Sequence, residues 1–241
     1  MKIAGLQGTT LIDFPGRIAT IVFLAGCDLR CPFCQNPDLV LRPGEMSLLP
    51  LEDLLADLER RRRLVDGLVI SGGEPLLQDL APLLGVARDL GYGLKVDTNG
   101  TSPERLAALI AEGLVDMVGM DAKTDEARYA RLGGTAGADT WSRVLRTASL
   151  ALEAGLELEV RTTVAPGWID EPAMEQIAPA LARIGVRRYV LQQFEPDHCL
   201  DPAMREIEPL PGSALRALAD IAAQHLPEVD LRGLLSLEQG R

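Results

Sequence analysis

The chain has 241 residues, 47% of them apolar, with a formal net charge of −11 and a pI near 4.7. That is enough to bury a full core, and α/β barrels of this size are routinely single domains, so residues 1–241 are expected to form one. An acidic balance argues against nucleic acid or an anionic membrane as main partner, because both select basic surfaces, and no apolar run approaches the length of a membrane span.

The first sixteen residues hold Gly5, Gly8 and an Asp13-Phe14-Pro15-Gly16 turn, and predict a short N-terminal hairpin or extension packed on the first strand. They do not read as a signal peptide, so the expected location is the cytoplasm, where thiols stay reduced. Apolar, β-branched runs follow at Ala19–Leu24, Leu68–Ser71, Leu94–Asp97, Met117–Asp121, Leu158–Thr163 and Tyr189–Phe194. Their near-continuous hydrophobicity suits parallel strands buried on both faces. Helical patterns lie between them: Leu51–Arg60, Leu77–Leu90, Thr140–Ala154 and Ser213–His225. Two more are marked by their ends, with Ser102-Pro103-Glu104 opening a helix that Gly113 closes, and Asp170-Glu171-Pro172 opening another.

Six strand–helix units predict an α/β chain with parallel strands and right-handed crossovers. Six are too few to close an eight-stranded barrel, which leaves a partial, open (β/α)6 barrel or a doubly wound sheet. Residues 1–16 would be the extension, 17–200 the barrel core and 201–241 a C-terminal helical segment.

Three of the four cysteines, Cys27, Cys31 and Cys34, fall in one C-x3-C-x2-C run directly after the first predicted strand. A cubane iron–sulfur cluster normally takes four thiolates, so three leave one iron open, and an open coordination position is where metals do chemistry. A zinc site would need His198, Cys199 or His225 as fourth ligand, none at zinc-finger spacing. A disulfide framework does not suit a chain of this size and context. The spacing therefore points to a site-differentiated [4Fe–4S] cluster.

Other unusual polar residues also follow strands: Gly72-Gly73-Glu74, Asp97-Thr98-Asn99-Gly100, Asp121 with Lys123, Arg161 with Thr163, and Gln192-Gln193. In a parallel α/β fold the strand C-termini share one face, where active sites are built. Gly-Gly allows close backbone approach, and Glu74 can accept from an ammonium. Lys123, one of only three lysines, can bind a carboxylate. Arg161, inside an apolar strand, needs an anion, and Glu159 shares its face. Cys199 reads as a free thiol and His225 as structural.

Together these residues resemble the radical S-adenosylmethionine (SAM) superfamily, whose hallmark is C-x3-C-x2-C with an aromatic, here Phe33, before the third cysteine. Gly5–Gly16, Phe23–Cys27 and Cys31–Pro37 are similar to activating proteins of anaerobic ribonucleoside-triphosphate reductase. Asp97–Gly100, Asp121 with Lys123, and Arg161 with Pro166-Gly167-Trp168 are similar to the pyruvate formate-lyase activating enzyme. Gln35 departs from the histidine of many activases.

The resemblance implies a partial (β/α)6 barrel in which Cys27, Cys31 and Cys34 ligate three irons and SAM chelates the fourth. Main chain around Phe33, Cys34 and Gln35 would meet the adenine, with Gly72, Gly73 and Glu74 at the methionyl ammonium. Asp121 and Lys123 would fix methionine and ribose. Asn99 and Arg161 would join the SAM site, and Asp97 with Asp121 would bind a monovalent cation. Gln193 stands where the formate-lyase enzyme has a histidine near the adenosine. The implied activity is hydrogen abstraction from a glycine of a glycyl radical enzyme, fed by a flavodoxin or ferredoxin-type donor. The alternatives are radical chemistry on a small metabolite or peptide, and a non-enzymatic zinc or electron-transfer module.

Overall fold

The computed structural model describes residues 1–234, so the last seven positions of the expected helical C-terminus lie outside the described residues. Its strands are β1 (Ile3–Thr10), β2 (Ala19–Leu24), β3 (Gly67–Gly72), β4 (Gly93–Thr98), β5 (Met117–Asp121), β6 (Glu157–Val164), β7 (Arg188–Gln193) and β8 (Glu228–Arg232). They form one sheet in strict chain order. β1 runs antiparallel to β2, and every later neighbour is parallel. A doubly wound sheet reverses its strand order at a switch point; this one never does. β1 and β8 remain as the two edges, so the barrel is open.

The helices are α1 (Pro37–Leu41), α2 (Leu51–Arg61), α3 (Ala81–Asp89), α4 (Pro103–Ala111), α5 (Glu126–Tyr129), α6 (Thr140–Glu153), α7 (Glu171–Arg183) and α8 (Gly212–Ala223). None is long and apolar enough to cross a membrane. Their buried stripes, such as Leu83, Leu84 and Ala87 of α3 or Ile177 and Leu181 of α7, pack on Val22, Ile70, Val96, Val118, Val160 and Leu191 of the sheet. These alternate strand positions share one face, and that face is the main core.

The opposite face corrects the expectation of strands apolar on both sides. Only its lower end is apolar, where Ile21, Val69 and Met117 gather around Phe14 from the β1–β2 loop. In the same row Lys95 is buried between Val69 and Met117, and above it the face carries Asp97, Asp121 and Arg161 around a cavity.

Further differences have local causes. The helix expected from Leu77 starts at Ala81, because Pro82 has no N–H to donate and is tolerated only in a helix's first turn; Gln78, before it, accepts from Lys2 N at 2.6 Å and donates to Ala25 O at 3.0 Å. Ser102 precedes α4 without a side-chain cap, whereas Asp170 accepts from Ala173 N at 2.9 Å. The segment after residue 200 is not only helical. It ends in β8, whose Arg232 reaches across β7 to hold Glu159 of β6 through two bonds of 2.9 and 2.7 Å.

Candidate active site

The cysteine loop starts where β2 stops, at Gly26, whose φ of +103° is open to glycine. Several distant segments fasten it. Gly73 N donates to Leu24 O and Glu74 N to Gly26 O, both at 2.8 Å. Thr135 N donates to Asp28 O, Leu200 N to Cys34 O and Asp201 N to Pro32 O, at 2.8, 2.9 and 2.9 Å. All four cysteines are free thiols. Burial pushes Cys27 and Cys31 up to about 12, so the bare thiols stay protonated near neutrality. A metal is what displaces such protons.

Cys27, Cys31 and Cys34 line one wall of a cavity of about 330 Å³ at the C-terminal ends of the strands. That size lies within the small-molecule range. Among the described residues no three His, Cys, Asp or Glu side chains are grouped to hold a single metal ion. Thiolates on one zinc lie about 3.8 Å apart, given Zn–S bonds of about 2.3 Å. A cube with one thiolate per corner iron needs them spread around it. The donor set, three soft thiols on one wall, fits an iron–sulfur cube with an open corner.

The far wall is a ladder of alternating charge across β4, β5 and β6. Lys95 Nζ lies 2.8 Å from Asp97 Oδ1, and Arg161 Nη1 lies 3.3 Å from the same oxygen. Arg161 Nε then donates to Asp121 Oδ1, and Lys123 Nζ to Asp121 Oδ2, each at 2.9 Å. Burial opposes ionisation of Asp121, yet Arg161 and Lys123 outweigh it and hold the carboxyl well below the usual range. Burial likewise opposes charge on Lys123, and Asp121 reverses that, so the ammonium is firmly held. Lys95 is buried behind the wall, so Arg161 and Lys123 face the cavity beside Asp97 and Asp121, and Lys123 brings an ammonium that can meet an anionic group. Gly119 makes the ladder possible: a Cβ there would overlap Asp97 Oδ1 and sit 3.2 Å from both Arg161 Nη1 and Lys95 Nζ.

Of the two carboxylates expected to bind a monovalent cation, Asp97 meets Lys95 and Arg161 through Oδ1, and Asp121 meets Arg161 and Lys123 through its two oxygens. Glu159, the partner weighed for Arg161, is held instead by Arg188 at 3.2 Å and by Arg232.

Phe33, Gln35, Gly72, Gly73, Asp97, Asn99, Asp121, Lys123 and Arg161 join the cysteines around the cavity, as the sequence led us to expect. Glu74 and Gln193 do not. Glu74 is fully buried and accepts from Leu76 N at 3.0 Å, Thr98 Oγ1 at 2.8 Å and Asn99 N at 2.6 Å. It ties the ends of β3 and β4 together, and Gly72 and Gly73 line the cavity instead. The glycines answer to the protein as well: a Cβ at Gly72 would overlap Leu24, and one at Gly73 would overlap Gly26 O. Gln193 faces away and donates to Leu210 O at 3.1 Å, while its neighbour Gln192 lines the cavity.

Sequence reasoning missed Asp13, which lines the cavity, and Lys95, which is buried behind the wall on Asp13 O and Asp97. Lys95 carried a usable signal, since it lies two positions before Asp97 on a strand and so shares its face. Phe33 is locked edge-on against Trp168, with ring centroids 5.7 Å apart, so the loop after β6 supports the cysteine loop. Cys199 is buried with Sγ 3.5 Å from Glu195 O, and His198 is exposed.

Comparison with known proteins gives this geometry its family. The chain is 30% identical over 234 residues, 95% of each chain, to a Methanocaldococcus jannaschii protein described as "Putative glycyl-radical enzyme activating enzyme". It is 38% identical over 105 residues to the pyruvate formate-lyase-activating enzyme of Clostridium pasteurianum, covering 41% of this chain and 43% of that one. The crystal structure of Streptococcus suis SuiB bound to precursor peptide SuiA shares the fold, with a TM-score of 0.66 at 16% identity over 88% of this chain. The present chain spans about half of SuiB, 48% of its length. The family model of the radical SAM superfamily matches residues 21–178, which hold the cysteine triplet and the whole charge ladder. With three thiols on one wall and charged strand ends on the other, the chain belongs to the radical SAM superfamily.

Proposed function

We propose that the chain is a glycyl-radical-enzyme activase, with anaerobic ribonucleoside-triphosphate reductase as the first partner to test. Membership of the superfamily brings a [4Fe–4S] cluster and SAM. When bound, and fed one electron by an external reductant, the pair would supply reductive cleavage of the S–C5′ bond of SAM, releasing methionine, and with it hydrogen abstraction from the α-carbon of a partner glycine.

The chain's own residues do the positioning. Cys27, Cys31 and Cys34, which line the cavity, would hold three irons of the cluster. Lys123, fixed by Asp121, presents its remaining N–H donors to the carboxylate of the methionyl group. The main chain at Gly72 and Gly73 lines the ammonium side, with Glu74 holding that turn in place from behind. Phe33, pinned on Trp168, and the rim residue Gln35 flank the adenine. Arg161 keeps Asp97 and Asp121 apart and oriented, so the wall needs no reorganisation when the ligand arrives. The electron comes from a flavodoxin or ferredoxin-type protein.

The observation that carries the reading is the pairing of three cavity-facing thiols with a wall of paired charges that includes Lys123 and Arg161, in a chain that aligns over 95% of its length with a relative described as an activating enzyme. The test is anaerobic reconstitution with iron, sulfide, SAM and reductant beside a purified anaerobic reductase. A glycyl electron-spin doublet on the reductase, with 5′-deoxyadenosine formed, is the expected result. SAM cleavage without a doublet on any glycyl radical enzyme, but with hydrogen lost from a small molecule or peptide, would move the assignment to that substrate class.

A further inference from the structure

We propose that Asn99 is a positioning residue that tunes the cysteine site electronically: its side-chain amide donates to Cys27 Sγ and raises the reduction potential of the cluster held there. The inference rests on the cysteines being cluster ligands, as argued above.

The orientation of the Asn99 amide is decided by its neighbours. Thr101 N donates to Oδ1 at 2.9 Å, so that atom must be the carbonyl oxygen. The NH2 group then faces Asp28 Oδ1 at 2.8 Å and Cys27 Sγ at 3.8 Å. Turned over, the amide would set its oxygen against the Asp28 carboxylate and its NH2 against the Thr101 N–H. Both contacts would be repulsive. The residue is only 5% exposed, and its main-chain N–H is held by Glu74 Oε2 at 2.6 Å. The Gly-Gly-Glu motif thus fixes Asn99, and Asn99 reaches the cysteine.

The charge arrangement gives the amide its task. Asp28 Oδ1 lies 3.9 Å from Cys27 Sγ, so a carboxylate and a ligating thiolate would stand side by side. Asn99 offers one N–H to each. A donor dipole aimed at sulfur favours the state with one more electron, and such bonds are a main control of cluster potential. The effect is enlarged because the donor itself is buried, with Asn99 only 5% exposed. The Asp28 charge acts in the opposite sense.

The experiment is an electron-spin-monitored redox titration of the reconstituted holoprotein, after iron and sulfide have been counted. Asn99→Ala is expected to lower the midpoint so that the reduced-to-oxidised ratio at a fixed poise falls about tenfold, which is about 59 mV for one electron. Asp28→Asn is expected to raise it. If Asn99→Ala fails to assemble a cluster, Asn99→Ser is titrated in its place. A full cluster with an unmoved midpoint overturns the inference, as does loss of the cluster from both Asn99 variants or an unchanged or lowered midpoint in Asp28→Asn. A wild-type protein without iron would instead overturn the ligand assignment, before any potential is measured.

Discussion

Adding a single methyl group at Gly119 should disable the charge ladder from its middle. Gly119 lies opposite Asp97 in the β4–β5 register and opposite Glu159 in the β5–β6 register. A Cβ at this position overlaps Asp97 Oδ1, the atom that Lys95 and Arg161 share. Asp97 must turn away, and Lys95, only 1% exposed, is left with Asp13 O at 2.7 Å. Overpacking alone costs about 1–3 kcal/mol. Depriving a buried charge of its partner costs about 3–5 kcal/mol. The two share one displacement, so Gly119→Ala is expected to lose about 3 kcal/mol. For a chain of this size that is a fall of about 6–12 °C in Tm. The assay is thermal and urea unfolding of metal-free wild type and variant, so that cluster loss does not enter the transition. Asp97→Ala in the Gly119→Ala background should cost less than in wild type, because the clash has already broken the same pairs. A Gly119→Ala protein within about 0.5 kcal/mol of wild type, with additive behaviour in the cycle, would refute the reasoning.

Glu74 titrates where it can be followed, since burial pushes it up to about 7 from an ordinary 4.5, against the pull of three donors. A raised carboxyl stabilises the fold fully below pH 4.5, and that contribution is lost as pH rises through 7. Glu74→Gln should therefore flatten the decline in urea stability between those limits, by up to about 3 kcal/mol; identical slopes would show that Glu74 does not titrate there. Cys31→Ala should remove the intact cluster and all SAM cleavage while leaving the circular dichroism of the apo-protein unchanged, and retained cleavage would contradict the ligand set. Lys123→Met should weaken SAM binding about 10- to 100-fold, the worth of one charge-assisted bond, as read by equilibrium binding; an unchanged Kd would remove Lys123 from the site.

Some of the site was legible because its signals are local. The cysteine triplet needs only its spacing to be recognised, and the polar residues that close each apolar run mark strand C-termini without any knowledge of contacts. The six parallel strands β2–β7 were readable from apolar runs for the same reason. β8 was not. Glu228–Arg232 alternates charge with Val229 and Leu231, and only its pairing with β7 and the reach of Arg232 to Glu159 make it a strand. Helices α1 and α5 are too short to show a helical period.

Side-chain direction is where reading along the chain stopped. Gln192 and Gln193 are adjacent and chemically identical, and strand alternation sends one into the cavity and the other beneath α8's approach at Leu210. Glu74 looked like a ligand because it ends a glycine turn, yet the three donors that claim it come from its own turn and from β4. Lys95 looked like one lysine among three until β4, β5 and β6 brought it beside Asp97 and Arg161.

By itself the sequence determined the chemistry available: three thiols in one loop, glycines and charges at strand ends, and enough apolar surface for a single sheet with its helices. Tertiary structure decided which charges neutralise one another and which remain for a ligand. That division has a physical cause, since cysteine spacing is set within one loop, whereas a buried ion pair depends on the register of strands far apart in the chain, as those carrying Asp97, Asp121 and Arg161 are.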